Sequence, residues 1–294
     1  MGCANCWPYD VPMRPDEPFL YTAWQARLGL SFERRGAESV LARREHFGPL
    51  RVQKPLYPEG RELCHALVLH PPSGIVGGDR LAIGVEVATG AQALLTTPGA
   101  GKWYRSAGAE AGQDVTLKVD AGGTLEWLPQ ESIVFDGARA AMRTRVELAT
   151  GARYIGLETL CLGRRASGER FAHGHLHLAT DIRYDGVPLW HERGRIDGGS
   201  PLLDSPVGLA GFSVCGTLLA AGVEIDADTL AACRAVAPNE VGAQAGVTVM
   251  PQLCVGRYLG HSAEAARAWF VGLWQALRPV VVGRDAAVPR IWTT

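Results

Sequence analysis

Three histidines spaced two residues apart form the clearest local pattern for a metal site in this sequence. His173, His175 and His177 lie in the segment HGHLH. On a β-strand such residues share one face, and imidazole nitrogens suit borderline ions such as nickel or zinc. Side chains two positions apart on a strand start about 7 Å from each other, which is wide for three ligands of one ion. A metal site and an exposed polar face are both open interpretations.

Carboxylates inside apolar segments are the second chemical feature. Glu158 lies within YIGLETLCL, and Glu192 follows a Trp-His pair. A buried acid costs several kcal/mol unless it is paired, hydrated or bound to a metal. Glu158 is therefore either paired with an arginine such as Arg164 or Arg170, or lines an aqueous cavity or a cation path.

The segment 70–81, HPPSGIVGGDRL, lies between two apolar segments that are typical of strands. Its prolines fix φ, and its glycines permit backbone shapes that other residues resist. We expect a shaped turn that presents Asp79 where a strand begins. An aspartate after two glycines is also ordinary turn chemistry, so a purely structural role is the alternative.

Two other segments resemble known functional motifs but do not match them in residue type or in length. The segment 99–102, GAGK, resembles a phosphate-binding loop, but Thr96 replaces a required glycine and Trp103 replaces the magnesium-binding hydroxyl residue. The segment 211–216, GFSVCG, is one residue too long for the nucleophile elbow of a serine hydrolase. The sequence thus argues against a P-loop nucleotide hydrolase and a serine hydrolase.

Composition indicates an ordinary globular protein without a nucleic-acid or membrane partner. The 294 residues carry a formal net charge of −1, so there is no basic surface for phosphates. No apolar segment approaches 18 residues, and no secretory signal is present. An odd number of cysteines scattered through apolar segments predicts reduced thiols and a cytoplasmic location. These cysteines are Cys3, Cys6, Cys64, Cys161, Cys215, Cys233 and Cys254.

The elements that must position these residues are mostly short strands. Apolar residues alternate with polar ones from Trp24 to Glu33, and later strands end at Gly-containing turns. The fold class predicted is mainly β, with many short strands in a β-helix-like or stacked-sheet architecture. Two α-helices, over 228–237 and 263–277, are expected in the C-terminal part. Residues 1–22, which are rich in proline, are expected to be a flexible extension of a single domain spanning 23–294.

Several long and unusual segments occur in order from about Trp24 to the end of the chain. They are GPLRVQKPLYPE (48–59), Cys64-His65, the turn at 70–79, TPGA (97–100) with Lys102 and YRS (104–106), LEWLPQ (125–130), LCLGR (160–164), Gly168-Glu169 with Phe171, and PRIW (289–292). Taken together, these segments resemble the UreD (UreH) family of urease accessory proteins.

This resemblance implies a scaffold rather than an enzyme. Members of the family are β-helical proteins with two helices that bind urease apoprotein, a helical UreF-type protein and a UreG-type GTPase. Nickel is delivered to urease after the GTPase hydrolyses GTP, and an internal water-filled path for nickel is expected. The chain would have no cofactor of its own, with nickel in transit. By motif alignment, the acids linked to that path fall on Asp79, Glu158 and Glu192, and oxygen ligands suit transient binding.

The chain also departs from the family pattern. Ser73 stands where glycine is usual, and Gly101 stands where a small hydroxyl residue is usual. His173 matches a family position, whereas His175 and His177 do not, so that cluster is particular to this chain.

Two other functions remain as alternatives. One is a stand-alone metal-storage protein that uses the histidine cluster and the Cys3/Cys6 pair. The other is a β-helical carbohydrate-active enzyme that uses paired carboxylates such as Glu126 and Glu131.

Overall fold

The structure, a computed structural model, describes residues 23–293. The predicted N-terminal extension over 1–22, including Cys3 and Cys6, lies outside the described residues. Strands dominate the described part of the chain. In chain order they are β1 (Gln25–Arg35), β2 (Glu38–Phe47), β3 (Arg51–Val52), β4 (Cys64–Leu69), β5 (Arg80–Val87), β6 (Gln92–Thr96), β7 (Gly101–Trp103), β8 (Ala111–Val119), β9 (Thr124–Leu128), β10 (Ser132–Val134), β11 (Arg139–Leu148), β12 (Arg153–Leu162), β13 (His175–Tyr184), β14 (Val187–Asp197), β15 (Val214–Ala221), β16 (Gln244–Met250) and β17 (Leu253–Gly260).

The strands form two sheets joined by successive coils of the chain. The first sheet has the order β14-β13-β11-β8-β5-β1-β2, and the second runs β16-β17-β15-β12-β9-β6-β4-β3. From β5 to β12 each coil adds one strand to each sheet, and like strands of successive coils pair in parallel. Short strands β7 and β10 pair in parallel on a third side. These stacked coils confirm the predicted β-helix-like architecture.

Alternation of side chains explains which face of each strand is buried. In β1, Ala26, Leu28, Leu30 and Phe32 are buried, whereas the residues between them are more exposed. Side chains of successive strand residues point to opposite faces, so the apolar set lies between the two sheets. One large hydrophobic core fills that space, and a second core lies between the outer face of the second sheet and the helices.

The helices are the one-turn helix α1 (Pro201–Asp204), α2 (Ala227–Ala235) and α3 (Ala263–Val282). The helices α2 and α3 cover the outer face of the second sheet, whereas α1 contacts β14 of the first sheet. The two predicted helices correspond to α2 and α3, and α1 is an additional single turn. The Ser262 hydroxyl accepts a hydrogen bond from Ala265 N at 3.1 Å and so caps the start of α3, as expected.

The predicted end of α3 at residue 277 is wrong. The helix continues through Pro279 and ends at Gly283, which adopts a left-handed conformation. Proline removes the hydrogen bond to the carbonyl of Gln275, but both residues are exposed to solvent, so water can replace that bond.

Candidate functional site: two cavities that meet at a pair of glutamates

Asp79 is a fully buried carboxylate at the turn between β4 and β5. One of its oxygens accepts a hydrogen bond from Trp24 N at 2.7 Å, and the other accepts one from Val76 N at 3.0 Å. The carboxylate therefore joins the start of the first described strand to the turn that contains it. Such contacts favour the structural role that was the alternative for this residue.

The glycines of this turn are required by close packing against the segment 104–109. A Cβ atom on Gly74 would lie 1.9 Å from a ring carbon of Tyr104, and one on Gly77 would lie 2.1 Å from the hydroxyl of Ser106. Ser73, which replaces the usual glycine, has a φ of 59°. The departure from the family pattern thus places a non-glycine residue in a left-handed conformation.

A cavity of about 390 Å³ lies inside the coils, beside this turn. It reaches the surface at exposed residues of the turn and of the segment 98–101, and it extends inward between the two sheets. Of the residues described by the structure, His70 lines this cavity and Asp79 does not. The polar residues that line it are His70, Ser73, Thr97, Lys102, Gln113, Gln130, Ser132, Thr144, Tyr154, Glu158, Thr159, Thr180, Glu192 and Thr217.

His70 is a potential ligand that sequence reasoning missed. Its Nε2 is buried and has no hydrogen-bond partner among the described residues. Burial lowers the pKa of His70, although the charge of Asp79 acts in the opposite direction. The imidazole is therefore neutral near pH 7, which is the form that binds metal ions. The feature of the sequence that could have indicated His70 is its position as the first residue of the turn segment 70–81.

A second cavity of about 340 Å³ adjoins the first. Four residues line both cavities, namely Glu158, Thr180, Glu192 and Thr217. The second cavity reaches the surface beside the exposed residues Arg195, Leu202 and Arg257. The structure thus brings Glu158 and Glu192 together where the two cavities meet.

Glu158 faces this meeting point without a hydrogen-bond partner in the described part of the chain. Burial raises its pKa to about 7, the nearby charge of Glu192 adds to that effect, and Arg257 opposes it. The arginines considered from the sequence are engaged elsewhere, because Arg164 pairs with Glu169 at 2.6 Å and Arg170 with Asp204 at 3.1 Å. The carboxyl group of Glu158 is therefore poised between its protonated and ionised forms at neutral pH.

Glu192 and Arg257 form a polar pair beside Glu158. Arg257 donates one hydrogen bond to Glu192 Oε1 at 2.7 Å and another to the Thr217 hydroxyl at 2.9 Å. Both side chains are partly exposed, so the pair is accessible from the second cavity. Arg257 lies on β17, more than sixty residues from Glu192 in the sequence, and no local pattern indicated their contact.

The three histidines are not brought together as one group. His173 lies before β13, where its Nδ1 contacts Asp136 Oδ2 at 3.0 Å. His175 Nε2 and His177 Nδ1 instead share Glu110 Oε2, at 3.2 and 3.0 Å. The three histidines do not share one strand face, because β13 begins only at His175.

The UreD family model, described as the UreD urease accessory protein, matches residues 25–293. The chain belongs to the UreD family of urease accessory proteins. It is 56% identical to the urease accessory protein UreD of Dechloromonas aromatica over 281 residues, which are 95% of this chain and 97% of that relative. It is 55% identical to that of Azoarcus sp. (92% and 94% covered) and 51% identical to that of Pseudomonas aeruginosa PAO1 (95% and 98% covered).

In this UreD-family chain the carboxylates considered for glycoside hydrolysis are paired with arginines of α3. Glu126 is fully buried, accepts hydrogen bonds from Arg278 at 3.1–3.2 Å, and accepts another from the Trp274 indole at 2.6 Å. Glu131 forms an ion pair with Arg267. These contacts attach the helix to the second sheet.

The described cysteines of the UreD-family chain are free thiols. Cys215 lines the second cavity, but burial raises its pKa to about 12. A protonated thiol is a poor metal ligand, so the oxygen atoms of Glu158 and Glu192 are the stronger candidates at this place. Over residues 23–293, no helix has both the length and the hydropathy needed to cross a membrane.

Proposed function

We propose that this chain is a non-catalytic scaffold in urease maturation that conducts nickel through its two adjoining cavities. The observation that carries the proposal is the meeting of both cavities at Glu158 and Glu192. Nickel enters at one surface opening, passes between these carboxylates, and leaves at the other opening. Family membership supports the role in maturation.

The chemistry of the meeting point suits an ion in transit. Hard oxygen ligands hold nickel less firmly than thiolates do, and the hydroxyls of Thr180 and Thr217 supply further oxygen atoms. With its pKa near 7, Glu158 exchanges a proton for the metal ion readily. Arg257, which pairs with Glu192, places a positive charge beside the meeting point and so limits how tightly a cation binds there.

The partners in this proposal follow from the family resemblance. They are urease apoprotein, a UreF-type helical protein and a UreG-type GTPase that uses the GTP, in the cytoplasm. Asp79 belongs to the proposed path as a residue that holds the turn at one opening, and His70 supplies a nitrogen ligand that lines the first cavity.

The proposal is tested by co-expressing urease and its accessory set with and without this chain, and measuring nickel per urease active site. Omission of the chain is expected to leave urease nearly free of nickel. Glu158→Ala and Glu192→Ala are each expected to reduce nickel content severalfold while co-purification with the accessory partners persists. Full nickel content in both variants would refute the path, and full content without the chain would refute the role in maturation.

A further inference from the structure

Glu110, His175 and His177 form a compact group on the outer face of the first sheet, away from the cavities. Within β13, Leu176 is buried and Leu178 lines the second cavity, so the alternate residues His175 and His177 point outward. Their rings lie 4.9 Å apart between centroids. The two imidazole rings are therefore closer together than the separation of about 7 Å between alternate residues of a strand.

Glu110 reaches these rings from another strand. It directly precedes β8, which is separated from β13 by β11 in the sheet. Across the first sheet, His177 of β13 pairs with Ala141 of β11, and Ala141 pairs with Gly112 of β8. These small residues leave room for Glu110 to lie along the surface toward the imidazoles, and Ala141 is only 5% exposed.

We propose that Glu110, His175 and His177 bind one divalent nickel or zinc ion. Their ligand atoms all lie within 4.8 Å of one another, and Glu110 Oε2 is 3.0–3.2 Å from both nitrogens. Ligands of an ion with bonds of about 2.0–2.1 Å are about 3.0–3.4 Å apart, so Oε2 already has the required distances. The ion takes the place between Oε2 and the two nitrogens, and solvent completes its coordination.

The donor set selects the class of metal. Two neutral imidazoles and one carboxylate favour nickel and zinc over magnesium and calcium, which prefer oxygen ligands alone. The other oxygen, Glu110 Oε1, lies 4.0 Å from Arg80 Nη1, so a positive charge lies near this carboxylate without a hydrogen bond to it. This site does not depend on the proposed path through the cavities.

The test is a calorimetric titration of the tag-free full chain with nickel chloride and, separately, with zinc chloride. The double variant His175→Ala/His177→Ala is expected to lose one equivalent of bound metal. Glu110→Gln keeps the shape of the side chain but replaces one carboxylate oxygen by an NH2 group and removes the negative charge, and is expected to weaken that equivalent at least tenfold. Unchanged stoichiometry and affinity in both variants would overturn the proposal.

Matched histidine controls separate this site from general surface binding. His173 contacts Asp136, and His191 contacts Asp181. Replacing either histidine by alanine should leave the equivalent of metal bound at Glu110, His175 and His177 in place. Glu158→Ala should also leave this equivalent of metal bound, so the result tests the surface site independently of the proposed nickel path. X-ray absorption at the nickel edge is expected to show two imidazoles, and their absence from the wild-type spectrum would contradict the assignment.

Discussion

At the scale of single residues, Glu158 lies in an environment that is costly for a carboxylate. A carboxyl group with no hydrogen-bond partner there sits beside a second acid and lines two cavities. The family resemblance identified this residue, and its apolar sequence neighbours showed that its environment would be costly. Neither signal could show that Arg257 and Thr217 lie beside Glu158, because these residues are far from it in the sequence.

Glu158→Gln is expected to stabilise the protein at alkaline pH. The folded state has a pKa of about 7 for Glu158, against an ordinary value of 4.5, so it retains the proton between these values while the unfolded chain loses it. Wild-type stability therefore falls relative to the variant as pH rises from 4.5 to 7, by up to roughly 3 kcal/mol. Urea unfolding at pH 5 and pH 8 measures this gap.

The control for that experiment is Glu147→Gln, which changes an exposed glutamate of β11. It removes the same charge at a solvent-exposed position, so its unfolding at the two pH values is the reference for Glu158→Gln. Parallel stability curves for wild type and Glu158→Gln would mean that the folded protein does not hold the extra proton.

Ser73→Gly is expected to raise the free energy of unfolding by roughly 0.5–1 kcal/mol. Ser73 has a φ of 59°, its side chain is exposed, and glycine adopts this conformation without strain. Ser73→Ala keeps the strain and should give no such gain, which makes it the matched control in thermal unfolding. Equal stabilities for the glycine and alanine variants would show that the conformation costs nothing.

At the scale of elements, alternation and capping residues predicted most strands and the starts of both main helices. The Tyr-Asp-Gly sequence at 184–186 has residues typical of turns, and it joins β13, which ends at Tyr184, to β14, which begins at Val187. The sequence has no fixed repeat length, because the connections between coils differ in length while the paired strands stay in register. The continuation of α3 through Pro279 depends on solvent exposure, which the sequence does not show.

One buried arginine of α3 contributes strongly to the attachment of this helix to the second sheet. Arg278 is fully buried and donates hydrogen bonds to Glu126 and, at 2.6–2.8 Å, to Glu59. Arg278→Met would leave two buried acids without their cation and is expected to cost about 3–5 kcal/mol of stability in urea unfolding. Adding Glu126→Gln removes one of those charges and should recover part of the loss. A double variant as unstable as the sum of the two single changes would contradict this pairing.

At the scale of the whole molecule, the site is formed by residues from several coils of the chain rather than by one segment. The four residues shared by the cavities come from β12, β13, β14 and β15, and the strands of both sheets enclose them. Composition and periodicity predicted the β-rich class, and the family resemblance predicted an internal path. Only the packed chain shows that Glu158 and Glu192 meet, that Asp79 holds a turn, and that Glu110 joins the histidines.

The most direct test of the nickel path is to block it without touching a carboxylate. Thr180 lines both cavities and pairs with Glu192 across β13 and β14, so Thr180→Phe places a ring where the cavities meet. Thr116→Phe makes the same change on the outer face of the same sheet and is the control. In co-expression with urease and its accessory set, we expect a severalfold drop in nickel per urease active site for Thr180→Phe and normal loading for Thr116→Phe. Equal, normal loading by both variants, with the Thr180→Phe protein folded and assembled, would rule out a nickel path through this point.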